Sequence, residues 1–157
     1  MELSKIITPE RIRVPLTAPD KVGVITELVD LLARTGDLTQ RDVVLGAVLQ
    51  RESERTTGIG YGLAIPHAKS TGCKSLSMAA GKTAVPIDFQ SLDRRPVTFV
   101  VLLISPLDQT SAHIQALAKI SRLMNIESFR SAIEKATSGQ ELHAAIAAYE
   151  SLESGRN

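Results

Sequence analysis

The chain has 157 residues, of which 43% are hydrophobic and 22% charged, which fits one globular domain spanning residues 1–157. Its formal net charge is +1 and only 3% of its residues are aromatic, so nucleic acid and anionic membranes are disfavoured as partners. The single cysteine, Cys73, excludes an intramolecular disulfide and fits a reducing, cytoplasmic location.

The first third of the chain predicts a short strand followed by two helices. Residues 11–16 form a candidate edge strand, because Pro15 is tolerated only at the edge of a sheet. Apolar residues at helical spacing follow Asp20, and Gly36 is a plausible end for that helix. Thr39, with an acid three residues further on, predicts the start of a second helix that ends near residue 54.

A glycine-rich stretch follows the second helix and leads to a histidine. Gly58, Gly60 and Gly62 permit backbone shapes that a Cβ would block, and their N–H groups are candidate donors to a phosphate. Pro66 pushes the residue before it towards extended geometry. His67 is therefore predicted at a strand end or in a loop.

The rest of the chain predicts further strands and then helices. Residues 76–83 form a candidate strand, residues 86–89 a short extended piece, and residues 97–104 an interior strand covered on both faces. The aliphatic run within the last of these is too short to cross a bilayer. Asp108 or Ser111 caps a helix to about residue 124, and residues 126–136 and 138–152 form two more helices. Helices and strands are interspersed, which predicts an α/β layered fold.

Three side chains are candidates for a phosphoryl-transfer site. His67 can attack phosphorus as a neutral imidazole, because its ordinary pKa of about 6.5 leaves a neutral fraction at pH 7. His113, at a predicted helix N-terminus, can donate a hydrogen bond to a phosphoryl oxygen. Arg51, just before the glycines, can place a guanidinium on the same group.

Other interpretations of these residues are weaker or structural. The glycines form neither a Walker A loop nor a dinucleotide fingerprint, because the required Lys and third glycine spacing are missing. A zinc site from His67, His113 and an acid lacks a close pair of ligands, so we expect no metal and no organic cofactor. Each histidine alone is also consistent with an idle surface residue, and Arg51 with a solvated one.

The stretch from Glu52 to Ala68 resembles the active-site signature of enzyme IIA domains of the fructose/mannitol class of the bacterial phosphotransferase system. Its carriers are an acid, Ile59-Gly60, and Leu63-Ala64-Ile65-Pro66-His67. The segment from His113 to Ile120 resembles the second-histidine helix of that family, and Arg51-Glu52 resembles its Arg-Glu pair. The similarity covers roughly residues 6–149.

The resemblance implies a mixed β-sheet flanked by helices on both faces. It implies that His67 accepts a phosphoryl group from the phosphohistidine of HPr or its nitrogen-branch homologue. It makes His113 a hydrogen-bond partner of that group and Arg51 a supporting cation, with no cofactor in the carrier.

Two outputs remain open at this point. A stand-alone, nitrogen-type enzyme IIA controls partners through its phosphorylation state, whereas a transport enzyme IIA passes the group to an enzyme IIB. The unfused chain favours the first, but Tyr61 and Ala68 stand where the nitrogen branch often has Asn and Gly. A binding module that keeps the fold without the relay is the third alternative.

Overall fold

The strand β6, Val97–Ser105, is the centre of the fold in the computed structural model, which describes residues 1–155. The last two residues of the predicted domain lie outside the described range. The other strands are β1 Ile12–Leu16, β2 Gly58–Gly60, β3 Leu63–Ala64, β4 His67–Lys69 and β5 Ser77–Ile87. The helices are α1 Leu3–Ile6, α2 Lys21–Arg34, α3 Arg41–Glu54, α4 Thr110–Met124, α5 Glu127–Lys135 and α6 Gly139–Ser154.

The six strands form one mixed sheet in the order β1-β5-β6-β3-β2, and β4 also pairs with β6. β5 runs antiparallel to β6, whereas β3 and β4 run parallel to it. His67 pairs with Leu103 and Lys69 pairs with Ser105. The carboxyl ends of β4 and β6 therefore meet at one end of the sheet.

Both faces of the sheet are covered, as the apolar sequence of β6 predicts. Phe99, Val101 and Leu103 point into a core that they share with α1, α4, α5 and α6. The alternate residues, Val100 and Leu102 among them, point into a second core with α2 and α3. Side chains alternate between the faces of a strand, so a continuous apolar run supplies two cores at once. The predicted mixed sheet with helices on both faces is confirmed.

Several predicted boundaries are confirmed. β1 lies at the sheet edge, pairs in parallel with β5 alone, and contains Pro15. The Asp20 carboxylate caps α2 by accepting from the Gly23 N–H, and Gly36 follows that helix with φ +84°. The Ser138 hydroxyl accepts from the Glu141 N–H at the start of α6.

Three predicted boundaries are wrong. Gln40, not Thr39, precedes α3, because the N–H groups of both residues donate to the Gly72 carbonyl and delay the helix. Gln109, not Asp108 or Ser111, precedes α4, because its N–H closes a turn onto the Pro106 carbonyl. The expected extended piece at residues 86–89 is in part the end of β5, whose pairing with β6 is irregular before Ile87.

Gly81 in β5 allows the edge strand β1 to approach closely. A Cβ there would lie 2.6 Å from Leu16 Cγ and 2.8 Å from the Arg13 carbonyl oxygen. We expect Gly81→Ala to lower the free energy of unfolding by about 2 kcal/mol through overpacking, measured by urea denaturation. Gly46→Ala in α3 is the matched control, since a Cβ there meets nothing within 4 Å and should stabilise by about 0.5 kcal/mol. Equal stabilities for the two variants would contradict the prediction.

Candidate active site

His67 and His113 meet at the end of the sheet where β4 and β6 finish. His67 is the first residue of β4, and His113 lies in the first turn of α4, which follows β6. α4 returns over the strand ends, so its first turn comes to rest beside β4. The two rings pack edge to face with centroids 5.3 Å apart.

The His67 ring is fixed by the backbone of its own loop. Its Nδ1 lies 2.7 Å from the Ile65 carbonyl oxygen, which can only accept a hydrogen bond. Nδ1 must therefore carry a proton and donate. In the neutral ring this leaves Nε2 with a free lone pair. The pKa of His67 is lowered by burial of the ring, with a smaller contribution from the Arg51 charge, so the neutral form dominates at neutral pH.

His113 is more deeply buried and is also neutral. Its side chain is part of a residue that is 5% exposed, and its Nδ1 lies 2.6 Å from Ser105 Oγ. Burial first, then the neighbouring His67 and Lys69, lowers the pKa of His113 to about 4. At pH 7 the site thus contains two neutral imidazoles side by side.

Cationic side chains surround the open side of His67. Arg51 and Lys69 line, with both histidines, a depression of about 460 Å³. A second depression of about 230 Å³ is lined by His67, Arg51 and Arg55. The Arg51 guanidinium donates to the Arg55 carbonyl at 2.7 Å, and the Lys69 ammonium donates to Thr110 Oγ1 at 2.8 Å. The arrangement offers positive charge on two sides of one nucleophilic nitrogen.

A buried carboxylate holds the end of α3 that carries Arg51. Glu52 is 6% exposed and accepts from the Thr57 N–H at 2.9 Å. Its carboxylate also pairs with the Lys21 ammonium at 3.0 Å. A buried charge that is both paired and hydrogen-bonded fixes its surroundings, so Glu52 ties the last turn of α3 to the segment before β2.

The expectation that glycine N–H groups cradle the phosphoryl group needs correction. Among the described residues, those that line the two depressions beside His67 include none of Gly58, Gly60 and Gly62. Gly60, Tyr61 and Gly62 instead have φ values of +113°, +56° and +77° and form the turn between β2 and β3. Gly58 allows close approach of Ser91, whose Oγ would lie 2.1 Å from an added Cβ. The glycines shape the hairpin before His67.

Sequence reasoning missed two polar neighbours of the histidines. Lys69 is two residues beyond His67 in a strand, and the period of two places both side chains on one face. That signal was available once β4 was recognised as a strand. Ser105 was taken only as a strand end, and no local pattern indicates its contact with His113.

A metal centre finds no support in the part of the chain that the structure describes. Residues 1–155 contain no group of three or more His, Cys, Asp or Glu side chains placed to hold a metal ion. No helix within the same range is long and apolar enough to span a bilayer.

The two neutral histidines predict a pH dependence of stability. Because the pKa of His113 is about 4 in the folded chain and about 6.5 when unfolded, the unfolded chain binds more protons below pH 6.5. Stability from this group is therefore complete above about pH 6.5 and is lost as the pH falls towards 4. Between about pH 7 and pH 5.5 we expect urea denaturation to show a loss of about 1 kcal/mol. A loss of the same size in His113→Gln would contradict this assignment.

Comparisons with known proteins bring a family to this geometry. The family described as "Phosphoenolpyruvate-dependent sugar phosphotransferase system, EIIA 2" matches residues 5–149. The fructose-specific EIIA component of Haloferax volcanii is 33% identical over 146 residues, covering 93% of this chain and 95% of that protein. A nitrogen regulatory protein of Bradyrhizobium diazoefficiens is 32% identical over 149 residues, covering 94% and 95%.

Longer relatives and a solved structure agree with that match. The fructose-specific EIIABC component of Bacillus subtilis is 33% identical over 138 residues, but this chain spans only 22% of that protein. The crystal structure of the nitrogen regulatory protein IIA-Ntr from Neisseria meningitidis superposes with a TM-score of 0.84 at 27% identity, covering 92% of this chain and 98% of that one.

Proposed function

Because this chain belongs to the EIIA 2 family of the phosphotransferase system, whose members work through a phosphohistidine, we propose that His67 carries the phosphoryl group. The chain is a phosphotransferase component, and the family match over residues 5–149 supports a single domain. The observation that carries the residue assignment is the Nδ1–H bond to the Ile65 carbonyl, which leaves Nε2 as the one free lone pair of His67.

The proposed step is an in-line transfer between two imidazoles. The His67 Nε2 lone pair forms a bond to phosphorus while the phosphorus–nitrogen bond of the donor phosphohistidine breaks, and its electron pair returns to the donor ring. The attacked ring keeps its Nδ1 proton and gains positive character. The Ile65 carbonyl, already hydrogen-bonded to that proton, stabilises the developing charge. No proton needs to move during transfer.

The surroundings of Nε2 fit the charge of the transferred group. A phosphoryl group on Nε2 would lie in the depressions lined by Arg51 and Lys69, and by His113 at the start of α4. Cations and a helix N-terminus stabilise anionic oxygens. We assign Arg51 as a supporting cation and His113 as a donor to one of these oxygens.

We propose an HPr-like phosphocarrier, or its nitrogen-branch homologue, as the donor, in the cytoplasm. For the output, we propose a regulatory role in which partners distinguish His67 from phospho-His67. The similarity to the Neisseria IIA-Ntr structure supports this role. A phosphoryl group adds charge and acceptor oxygens beside Arg51 and Lys69, which is enough to change how a surface binds.

A transport role is the second candidate. The Haloferax fructose-specific EIIA component is as similar to this chain as the Bradyrhizobium nitrogen regulatory protein, at 33% against 32% identity. In that case the same phospho-His67 would pass its group to an enzyme IIB. Both candidates share the acceptance step and differ only in the acceptor.

The test is phosphorylation in vitro with phosphoenolpyruvate, enzyme I and HPr or its nitrogen-branch homologue. We expect intact-mass measurement to show the gain of one phosphoryl group, which is lost in acid but retained in alkali. Fructose- and mannitol-type enzymes IIB are then added to the isolated phosphoprotein. Rapid transfer to an enzyme IIB would support transport. A folded protein that gains no phosphoryl group from any donor would refute the proposed function.

A further inference from the structure

The buried contact between Ser105 and His113 constrains the proton of the second imidazole. Ser105 is fully buried at the end of β6, and its Oγ lies 2.6 Å from His113 Nδ1. The backbone of Ser105 is itself fixed, because it pairs with Lys69 in β4 and its carbonyl accepts from the Ser70 N–H at 2.9 Å. The hydroxyl is therefore presented to the ring from a rigid strand end.

The direction of this hydrogen bond follows from counting donors. Among the described residues, Ser105 Oγ has no hydrogen-bond partner other than His113 Nδ1. If Nδ1–H donated to Oγ, the serine proton would be left buried without an acceptor, which costs about 1–3 kcal/mol. If the hydroxyl donates to Nδ1, every proton at the contact is used. The second arrangement is the stable one.

A neutral imidazole carries one proton, so a hydrogen bond accepted at Nδ1 places that proton on Nε2. Nδ1 points at Ser105, and Nε2 therefore lies on the other side of the ring, where His113 lines the depression beside His67. The two histidines then have opposite patterns. His67 has its proton on Nδ1 and a bare Nε2, whereas His113 has a bare Nδ1 and a donor at Nε2.

We propose that Ser105 is a positioning residue that holds His113 in the tautomer protonated on Nε2, so that His113 donates to a phosphoryl oxygen on His67. The second half of this statement rests on the proposed function. The first half concerns the unphosphorylated chain alone. A bare Nε2 on His113 would instead turn a lone pair towards an anionic oxygen and repel it.

The first measurement tests the tautomer directly, without any transfer partner. Long-range proton–nitrogen NMR correlations of the imidazoles in the unphosphorylated protein distinguish Nδ1–H from Nε2–H. We expect Nδ1–H for His67 and Nε2–H for His113 in the wild-type chain, and a measurable Nδ1–H population for His113 in Ser105→Ala. A wild-type His113 protonated on Nδ1 would overturn the proposal, whatever the variants do.

The second measurement compares rates of phosphoryl acceptance in folded variants. We expect Ser105→Ala to slow acceptance about fivefold to tenfold, the equivalent of losing one hydrogen bond, and Ser105→Thr to recover most of the rate because it keeps the hydroxyl. Ser77→Ala is the matched control, since Ser77 is a buried serine in the neighbouring strand whose hydroxyl donates to the Ser75 carbonyl. Its rate should match the wild-type rate.

The two experiments separate this inference from the proposed function. Should the wild-type chain accept no phosphoryl group, the proposed function fails, while the NMR result still decides the tautomer. If Ser105→Ala keeps His113 wholly protonated on Nε2 and transfers as fast as Ser77→Ala, Ser105 is not a positioning residue.

Discussion

His67→Ala is expected to accept no phosphoryl group, whereas the wild-type chain accepts one. The variant removes the nucleophilic nitrogen, and no neighbouring group replaces it, because the pKa of His113 is about 4 and its Nδ1 is occupied by Ser105. Loss of an essential nucleophile commonly costs about 10⁴-fold or more in rate. Intact mass after incubation with phosphoenolpyruvate, enzyme I and HPr measures the effect.

His143→Ala is the matched control for this experiment. His143 is the third histidine of the chain and lies in α6, where its Nε2 bonds to the Ser4 carbonyl at 2.8 Å. That contact joins α6 to α1 on the far side of the molecule's first core and has no part in the proposed transfer. His143→Ala should therefore accept a full equivalent. A full, acid-labile equivalent on His67→Ala would instead assign the phosphoryl group to another residue.

Local patterns predicted the framework of this protein because its main elements satisfy their own sequence rules. β6 is an uninterrupted apolar strand that supplies both cores, and Pro15 marks a strand that can only lie at an edge. Asp20 and Ser138 cap their helices through bonds to residues three positions further on. Interactions that span three or four residues are visible in the sequence itself.

The parts that escaped prediction depend on contacts between distant segments. The pairing of His67 with His113 requires β4 and β6 to lie parallel, which no local pattern encodes. Thr39 and Gln40 lose their expected helical role to the Gly72 carbonyl, more than thirty residues along the chain. The glycines illustrate the same limit, because their positive φ values serve a hairpin that only the sheet explains.

The buried carboxylate Glu52 shows why the candidate site is stable despite its many polar groups. Its bonds to Thr57 and Lys21 anchor the end of α3, which is also the element that presents Arg51. The depression beside His67 is thus bounded by a helix end fixed from below and by strand ends fixed by the sheet. Rigid supports of this kind favour precise placement of transfer groups.

His113→Ala is expected to accept one phosphoryl group, but about 10²-fold more slowly than the wild-type chain. The variant keeps the His67 nucleophile and its bond to Ile65, and it removes the donor that we assign to a phosphoryl oxygen. Loss of one preorganised donor to a transition-state oxygen typically costs about 10²-fold to 10³-fold. Rapid-quench kinetics with phosphorylated HPr measure the rate, and the final mass measures the extent.

Gln115→Ala is the control on the same helix, because Gln115 is exposed on α4 and lies outside the depressions beside His67. It should transfer at the wild-type rate. The rates should then fall in the order wild type, Ser105→Ala, His113→Ala, since removing the donor costs more than releasing its tautomer. A His113→Ala variant as fast as Gln115→Ala would show that the second imidazole makes no contact with the transferred group. In that case Arg51, Lys69 and the N-terminus of α4 alone would have to balance its charge.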